Sequence, residues 1–197
     1  DISPSTFFGT QLNRDGEPKM KEELMAEIAA VLAFSAINNN DKVGAILFTD
    51  KVEKYIPPKK GKKHILRIIR EIIYFEPESN GTDLSEALIY LNNILKKRSI
   101  TFILSDFMCQ GYDSALSVAS KRHDIIGLHI YDELERDMPD IGIINAVDSE
   151  SGTHKIIDSS SRRVRDNYNA WFEDNYNFYN TNIYLFFILD LIIFSKI

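Results

Sequence analysis

Hard oxygen ligands crowd the start of the chain. Asp1-Ile2-Ser3-Pro4-Ser5 sets one carboxylate and two hydroxyls at alternating positions of a short loop. Two later stretches can join them. Gly81-Thr82-Asp83 offers a hydroxyl, and Ile100-Thr101-Phe102-Ile103-Leu104-Ser105-Asp106 is an apolar run that ends in a carboxylate. Mg²⁺ and Mn²⁺ take such oxygens in octahedral geometry. Ser3, Ser5 and Thr82 can bind an ion directly. Asp1 and Asp106 can bind directly or through water, and they supply the negative charge. With so few carboxylates of its own, a site of this kind leaves the ion electrophilic, open to one more carboxylate from a partner protein.

Each piece also has an ordinary structural use. Ser3 and Ser5 suit a turn. Thr82 or Asp83 suits the N-cap of a helix, and Glu86 stands at capping-box spacing from Asp83. A cap and a ligand are compatible, since both sit where a loop enters a helix. Asp106 is the strongest member, because carboxylates at the ends of parallel strands face the ligand crevice. A hydrolytic alternative is a Mg²⁺-dependent phosphoesterase built on Asp1, Asp83 and Asp106. Hydrolysis needs a nucleophile or an activated water, and usually a general base. His64, His123, His129 and His154 show neither metal-ligand spacing nor a place suited to a base, and Ser3 stands where a D-x-D phosphatase start needs its second Asp. A third reading is a structural scaffold with a vestigial site.

The elements that must hold these residues follow from periodicity. Helices are expected at 19–37, 65–75, 83–97, 113–121 and 159–173, from apolar residues at helical spacing. The second half of the 19–37 helix is apolar nearly all round and should be buried. Strands are expected at 43–49, 99–104, 125–131 and 141–147. The first three of these read as continuous apolar runs of the kind covered on both faces. Residues 52–56 form an edge strand hairpinned to the one before, because Pro57-Pro58 cannot lie in a central strand. His154–Ile157 returns as a hairpin across Ser151-Gly152. Asp132–Asp140 is an acidic loop or short helix, and Lys59–His64 a solvated basic loop that lacks the glycine pattern of a phosphate cradle. Alternating strands and helices imply an α/β fold: a doubly wound, mostly parallel sheet with helices on both faces.

Composition narrows the class. The chain has 197 residues, 44% hydrophobic and 26% charged, enough for one sizeable domain. Its net charge of −6 argues against a nucleic-acid partner. The single cysteine, Cys109, leaves no internal disulfide and no cysteine-built zinc site. No signal-peptide pattern stands at Asp1, so a cytoplasmic location is expected. Residues 183–194 are apolar apart from Asp190. That run is too short and interrupted for a clear membrane span, so a core strand or helix is expected, with membrane contact as the alternative.

Asp1-Ile2-Ser3-Pro4-Ser5, then Thr82, then Asp106 resembles the metal-ion-dependent adhesion site of von Willebrand factor A domains, in the same order. Gly9-Thr10, Asn39-Asn40-Asp41-Lys42-Val43-Gly44, Phe48-Thr49-Asp50, Ile56-Pro57-Pro58-Lys59-Lys60-Gly61 and Ser105-Asp106-Phe107 extend the resemblance to a bacterial branch, the domain-of-unknown-function-58 family, often found beside MoxR-type AAA+ ATPases. It covers 1–158, with 159–197 as a C-terminal helix and an aberrant apolar tail. The resemblance implies a Rossmann-type sheet of order 3-2-1-4-5-6 with one antiparallel edge strand. It implies a protein-binding module, not an enzyme. It implies Ser3, Ser5 and Thr82 as direct ligands of Mg²⁺ or Mn²⁺, Asp1 and Asp106 as mostly water-mediated ones, and a MoxR-type ATPase as the carboxylate-donating partner. The first central strand of that family should precede Asp1 and is missing from the chain. The surplus apolar run at 183–194 is the candidate to fill its slot.

Overall fold

A computed structural model describes residues 1–10, 19–149, 151–183 and 188–190. The architecture is mixed α/β. β1 (Val43–Phe48) and β2 (Val52–Lys59) pair antiparallel, from Val43 opposite Lys59 to Phe48 opposite Val52. Pro57 and Pro58 lie inside β2, which an edge position permits because one row of its amides needs no partner. β3 (Ile100–Ser105) and β4 (Asp124–His129) run parallel, with Ser105 opposite His129. β5 (Ile143–Val147) and β6 (His154–Asp158) form an antiparallel hairpin.

Among the described residues, six α-helices connect and cover the strands: α1 (Lys21–Asn38), α2 (Lys62–Tyr74), α3 (Leu84–Ile94), α4 (Asp113–Ser120), α5 (Glu133–Arg136) and α6 (Arg162–Ile183). α3 shows why these sequences are helical. Asp83 caps it by accepting from the Ser85 amide at 2.8 Å, and Leu84, Leu88 and Leu91 fall on one buried face. Ile103, Phe107, Tyr112, Leu116 and Tyr179 join that face in the main core. Each fully buried side chain of this size contributes about 1.5–3 kcal/mol.

Several expectations change. Lys62, Lys63 and His64 form the first turn of α2 rather than a loop, with the His64 ring 3.0 Å from the Val43 carbonyl oxygen. α6 runs ten residues beyond Glu173, through the Asn- and Tyr-rich stretch, because Phe172, Tyr176 and Tyr179 continue a helical stripe against Tyr131 and His129. α1 buries its beginning, at Lys21, Met25 and Ala26, while Val31 is exposed in the second half. The alanines there favour a helix on all sides, but α1 packs mainly on α2.

The doubly wound sheet is not continuous among the described residues. Parallel pairing is confined to β3, β4 and a short β7 (Ile188–Asp190), in that order, and β1 and β2 form a separate sheet. The first two residues join the two sheets. The Asp1 nitrogen donates to the Leu104 carbonyl oxygen at 3.1 Å, and the Ile2 amide donates to that of Phe48 at 3.0 Å. The described part of the apolar tail, β7, does not lie between β1 and β3. β7 adds to the other side of β4, with Leu189 opposite Leu128. α6 packs on β4, where the Tyr179 hydroxyl donates to Gly127 O at 3.4 Å. Residues 184–187 and 191–194 of the same apolar run lie outside the described residues. Among the described residues, no helix is long and apolar enough to cross a membrane.

Candidate metal centre

The centre forms where the carboxyl ends of β1 and β3 meet the first loop. Both carboxylate oxygens of Asp1 are engaged: Oδ1 accepts from the Ser3 amide at 2.9 Å, and Oδ2 accepts from the Ser105 hydroxyl. That closes the loop back on its own start, as an Asx turn does. Pro4 then begins a single 3-10 turn, Pro4–Phe7, in which the Thr6 hydroxyl donates to Ser3 O at 2.7 Å. The turn brings the hydroxyl oxygens of Ser3 and Ser5 to 3.0 Å from each other. The Ser5 hydroxyl lies near enough to the carboxylate of Asp106 to help hold its pKa down.

Asp106 follows directly on β3, so the strand sets its height. The next residue, Phe107, takes φ +50°, a left-handed conformation rare for an aromatic side chain. Two contacts hold it there. Its amide donates to Ser105 Oγ at 3.0 Å, and its buried ring packs on Tyr179 with centroids 4.5 Å apart. The bend lets the Met108 amide reach Asp106 Oδ1 at 3.3 Å.

The remaining oxygen of Asp106 has an unexpected partner. Lys21 Nζ lies 3.0 Å from Asp106 Oδ2 and 2.6 Å from Glu135 Oε1. Lys21 and Asp106 are almost fully excluded from solvent, at 0% and 1% exposure. Burial by itself pulls a lysine's pKa down, but the charges of Asp106 and Glu135 outweigh it and hold the Lys21 ammonium above its ordinary value. For Asp106, burial pushes upward, while the Lys21 charge and the Ser5 hydroxyl pull harder the other way, so its carboxyl stays below the usual range. Burial raises Glu135.

Contacts behind Glu135 set Lys21 in place. Glu135 Oε2 accepts from the Asp132 amide at 2.9 Å, completing a capping box at α5. Asp132 is itself buried and accepts from the Thr10 amide at 2.8 Å and the Thr10 hydroxyl at 2.6 Å. Just before Thr10, Gly9 approaches the backbone of Lys19 so closely that a Cβ there would lie 2.0 Å from the Lys19 carbonyl oxygen. The Lys21 amide donates to Phe8 O at 3.0 Å. The glycine thus lets the first loop dock on the start of α1, with Lys21 turned inward.

The expected site residues divide accordingly. Asp1, Ser3 and Ser5 form one hydrogen-bonded group with Ser105, and Asp106 follows Ser105 directly, with the Ser5 hydroxyl near its carboxylate. Thr82 sits on the neighbouring loop, one residue before the cap of α3, and that loop is anchored to the end of β1 by the Asp83 amide, which donates to Thr49 O at 2.8 Å. Asp83 Oδ1 is committed to capping α3, where it also accepts from the Glu86 amide at 3.4 Å. Cys109 is half-buried.

The donor set suits a hard cation. It is oxygen only, and it is already paired internally through hydroxyls that can turn their lone pairs to an ion. Asp1, Asp106, Asp132 and Glu135 against Lys21, four carboxylates and one ammonium, leave an excess of negative charge at this end of the sheet.

A model of the family described as "Protein of unknown function DUF58" matches residues 1–177. The chain belongs to the DUF58 family. Among curated proteins it is similar to the uncharacterized protein Rv1480 of Mycobacterium tuberculosis and the uncharacterized protein Mb1516 of Mycobacterium bovis. Each is 25% identical over 155 residues, which is 77% of this chain and 47% of the relative. The chain therefore spans about half the length of the curated relatives it matches. Among solved structures it is similar to an aerotolerance-related membrane protein from Bacteroides fragilis, crystallised with multiple mutations to serines. The TM-score is 0.58, with 15% identity over 91% of this chain and 95% of that one. It is also similar to the conserved hypothetical protein BatB from Bacteroides thetaiotaomicron, with a TM-score of 0.53 and 14% identity over 87% and 83% of the two chains. At these identities the likeness is one of fold.

Sequence reasoning misses three residues of this cluster: Lys21, Asp132 and Glu135. Lys21 stands in a run of charged residues, Lys19-Met20-Lys21-Glu22-Glu23, which reads as a solvated helix start. The usable signal is Asp132-x-x-Glu135, a capping-box spacing within what reads as an acidic loop.

Proposed function

We propose that this DUF58 chain is a metal-dependent protein-interaction module rather than a catalyst. Ser3, Ser5 and Thr82 would hold Mg²⁺ or Mn²⁺ directly, with Asp1 and Asp106 acting mostly through water. The ion supplies an electrophilic position for a carboxylate from a partner protein. The observation that carries this reading is the convergence of Asp1, Ser3, Ser5 and Asp106 into one group of oxygen donors at the ends of two strands, with Ser3 and Asp106 buried and Asp1 and Ser5 half-buried. The hydroxyl–hydroxyl contact of Ser3 and Ser5 supports it further, because neighbouring hydroxyls held this close can present two oxygens to one ion.

The chain's own residues do the positioning. Asp1 fixes the loop through Ser3 and Ser105, Phe107 turns the backbone so that Asp106 faces the hydroxyls, and α3 carries Thr82 to the same end of the fold. The parallel set β3-β4-β7 and the order of helices support a von Willebrand A-like, doubly wound arrangement as the parent architecture. The partner is a MoxR-type AAA+ ATPase, meeting the module in the cytoplasm in a chaperone-like or assembly role. Binding of a MoxR-type ATPase from the same organism to the immobilised chain, with Mg²⁺ or with EDTA, tests this. The reading expects retention that is Mg²⁺-dependent and lost in the Ser3→Ala/Ser5→Ala double variant. Equal retention in EDTA would count against it.

A further inference from the structure

Lys21 has a charge that the proposed site does not use. Its ammonium is fully buried, and it lies against the same Asp106 carboxylate to which the metal reading assigns a role. An ammonium removed from water carries a large desolvation cost and persists only where carboxylates compensate it. Here two do, and they are unequal. The contact to Glu135 is 2.6 Å and that to Asp106 is 3.0 Å. Glu135 is also fixed from behind by the Asp132 amide and is partly open to solvent. Glu135 is therefore the firmer anchor for Lys21, and Asp106 is the oxygen donor it shares.

From this arrangement we propose that Lys21 is a tethered cation that competes with a divalent ion for Asp106. With no ion bound, the ammonium supplies the positive charge that Asp106 needs, so the centre stays folded and its carboxylate stays ionised. When an ion binds among the hydroxyls of Ser3 and Ser5, its charge and that of the ammonium both bear on one carboxylate and repel each other. The ammonium then relies on Glu135. Lys21 thus sets a threshold, weakening the site for divalent ions while making the ion-free fold self-sufficient. The inference rests on the metal reading of Ser3, Ser5 and Asp106, and it adds a residue that lowers affinity.

Lys21→Met keeps the length of the side chain and removes its charge. Two quantities are read on the whole chain: the Mn²⁺ dissociation constant by calorimetry, and the midpoint of thermal unfolding in EDTA and in saturating Mg²⁺. Lys21→Met is expected to bind Mn²⁺ at least tenfold more tightly than wild type. It should melt several degrees lower in EDTA and recover most of that loss in Mg²⁺, whereas wild type gains little. Glu135→Gln is the second variant, in case Lys21→Met does not fold. It leaves the ammonium to Asp106 alone, so Mn²⁺ binding should weaken severalfold.

A Lys21→Met protein that binds Mn²⁺ no more tightly than wild type overturns the proposal while leaving the metal site standing, and so does a Glu135→Gln protein that binds as well as wild type. If neither wild type nor either folded variant takes up the ion, the metal reading fails and the competition fails with it.

Discussion

At its start β3 exposes Ile100 and Phe102, whereas at its end Ser105, Asp106 and Phe107 are buried. Ile100 is 65% exposed and Asp106 only 1%. This inverts what their polarity suggests. The continuous apolar run reads as a strand buried throughout, yet its first residues lack cover, because β3 pairs only with β4 among the described residues and the first loop meets it at its last two residues, Leu104 and Ser105. The polar end is buried because partners converge there from four segments: the first loop, α1, α5 and the turn after β3. Burial along this strand is decided by which segments arrive, and hydrophobicity sets only what those segments must satisfy.

The largest effect should come from the buried end. Asp106→Ala leaves the Lys21 ammonium with Glu135 as its one remaining acidic partner and should destabilise the fold by about 3–5 kcal/mol, the usual result of breaking a buried ion pair from one side. Urea unfolding of the purified variant measures it, and a loss below about 1 kcal/mol would show that this pair does not hold the strand end. The sign of the pH dependence follows from the same groups. Asp106 is held low, so its contribution is present above the ordinary carboxylate value of about 3.9 and is lost as pH falls through its folded pKa. Lys21 is held high, so its contribution is present below about 10.4 and is lost as pH rises through its folded value. Glu135, raised by burial, works in the opposite sense to Asp106 in acid. A plateau of stability across neutral pH is the expected profile.

The smallest effect should come from the exposed end. Ile100→Ala removes more apolar surface than any change at Asp106, but from a side chain that is mostly in water. The cost should stay within about 0.5 kcal/mol in the same urea experiment. A loss several times larger would mean that Ile100 is covered in solution, for instance by another segment of a longer chain or by a partner, and the contrast between the two ends of β3 would collapse.

Much of the fold was legible because it depends on local pattern. The apolar runs at 43–48, 100–105 and 124–129, the leucine stripe of α3 and the cap at Asp83 can each be read within a short window. So could Asp1, Ser3, Ser5 and Asp106, whose spacing and strand-end position are features of the sequence itself. What stayed hidden depends on distant encounters. Nothing local distinguishes Lys21 from Lys19, yet Lys21 is buried 85 residues from its partner Asp106, while Lys19 pairs at the surface with Glu27. Gly9 and Thr10 look like ordinary loop punctuation until the loop is seen against Lys19 and Asp132. The placement of β7 beside β4, and not between β1 and β3, comes after α6, whose last ten residues carry too many asparagines to read as helix.

The central claim is that Ser3, Ser5 and Asp106 form a site for a hard divalent ion. Calorimetric titration of the metal-stripped chain with Mn²⁺, beside the Ser3→Ala/Ser5→Ala double variant, tests it most directly. One ion per chain is the predicted result, with binding weakened at least tenfold in a variant that unfolds like wild type. A flat titration of the folded wild-type chain, or undiminished binding in the double variant, would contradict the account.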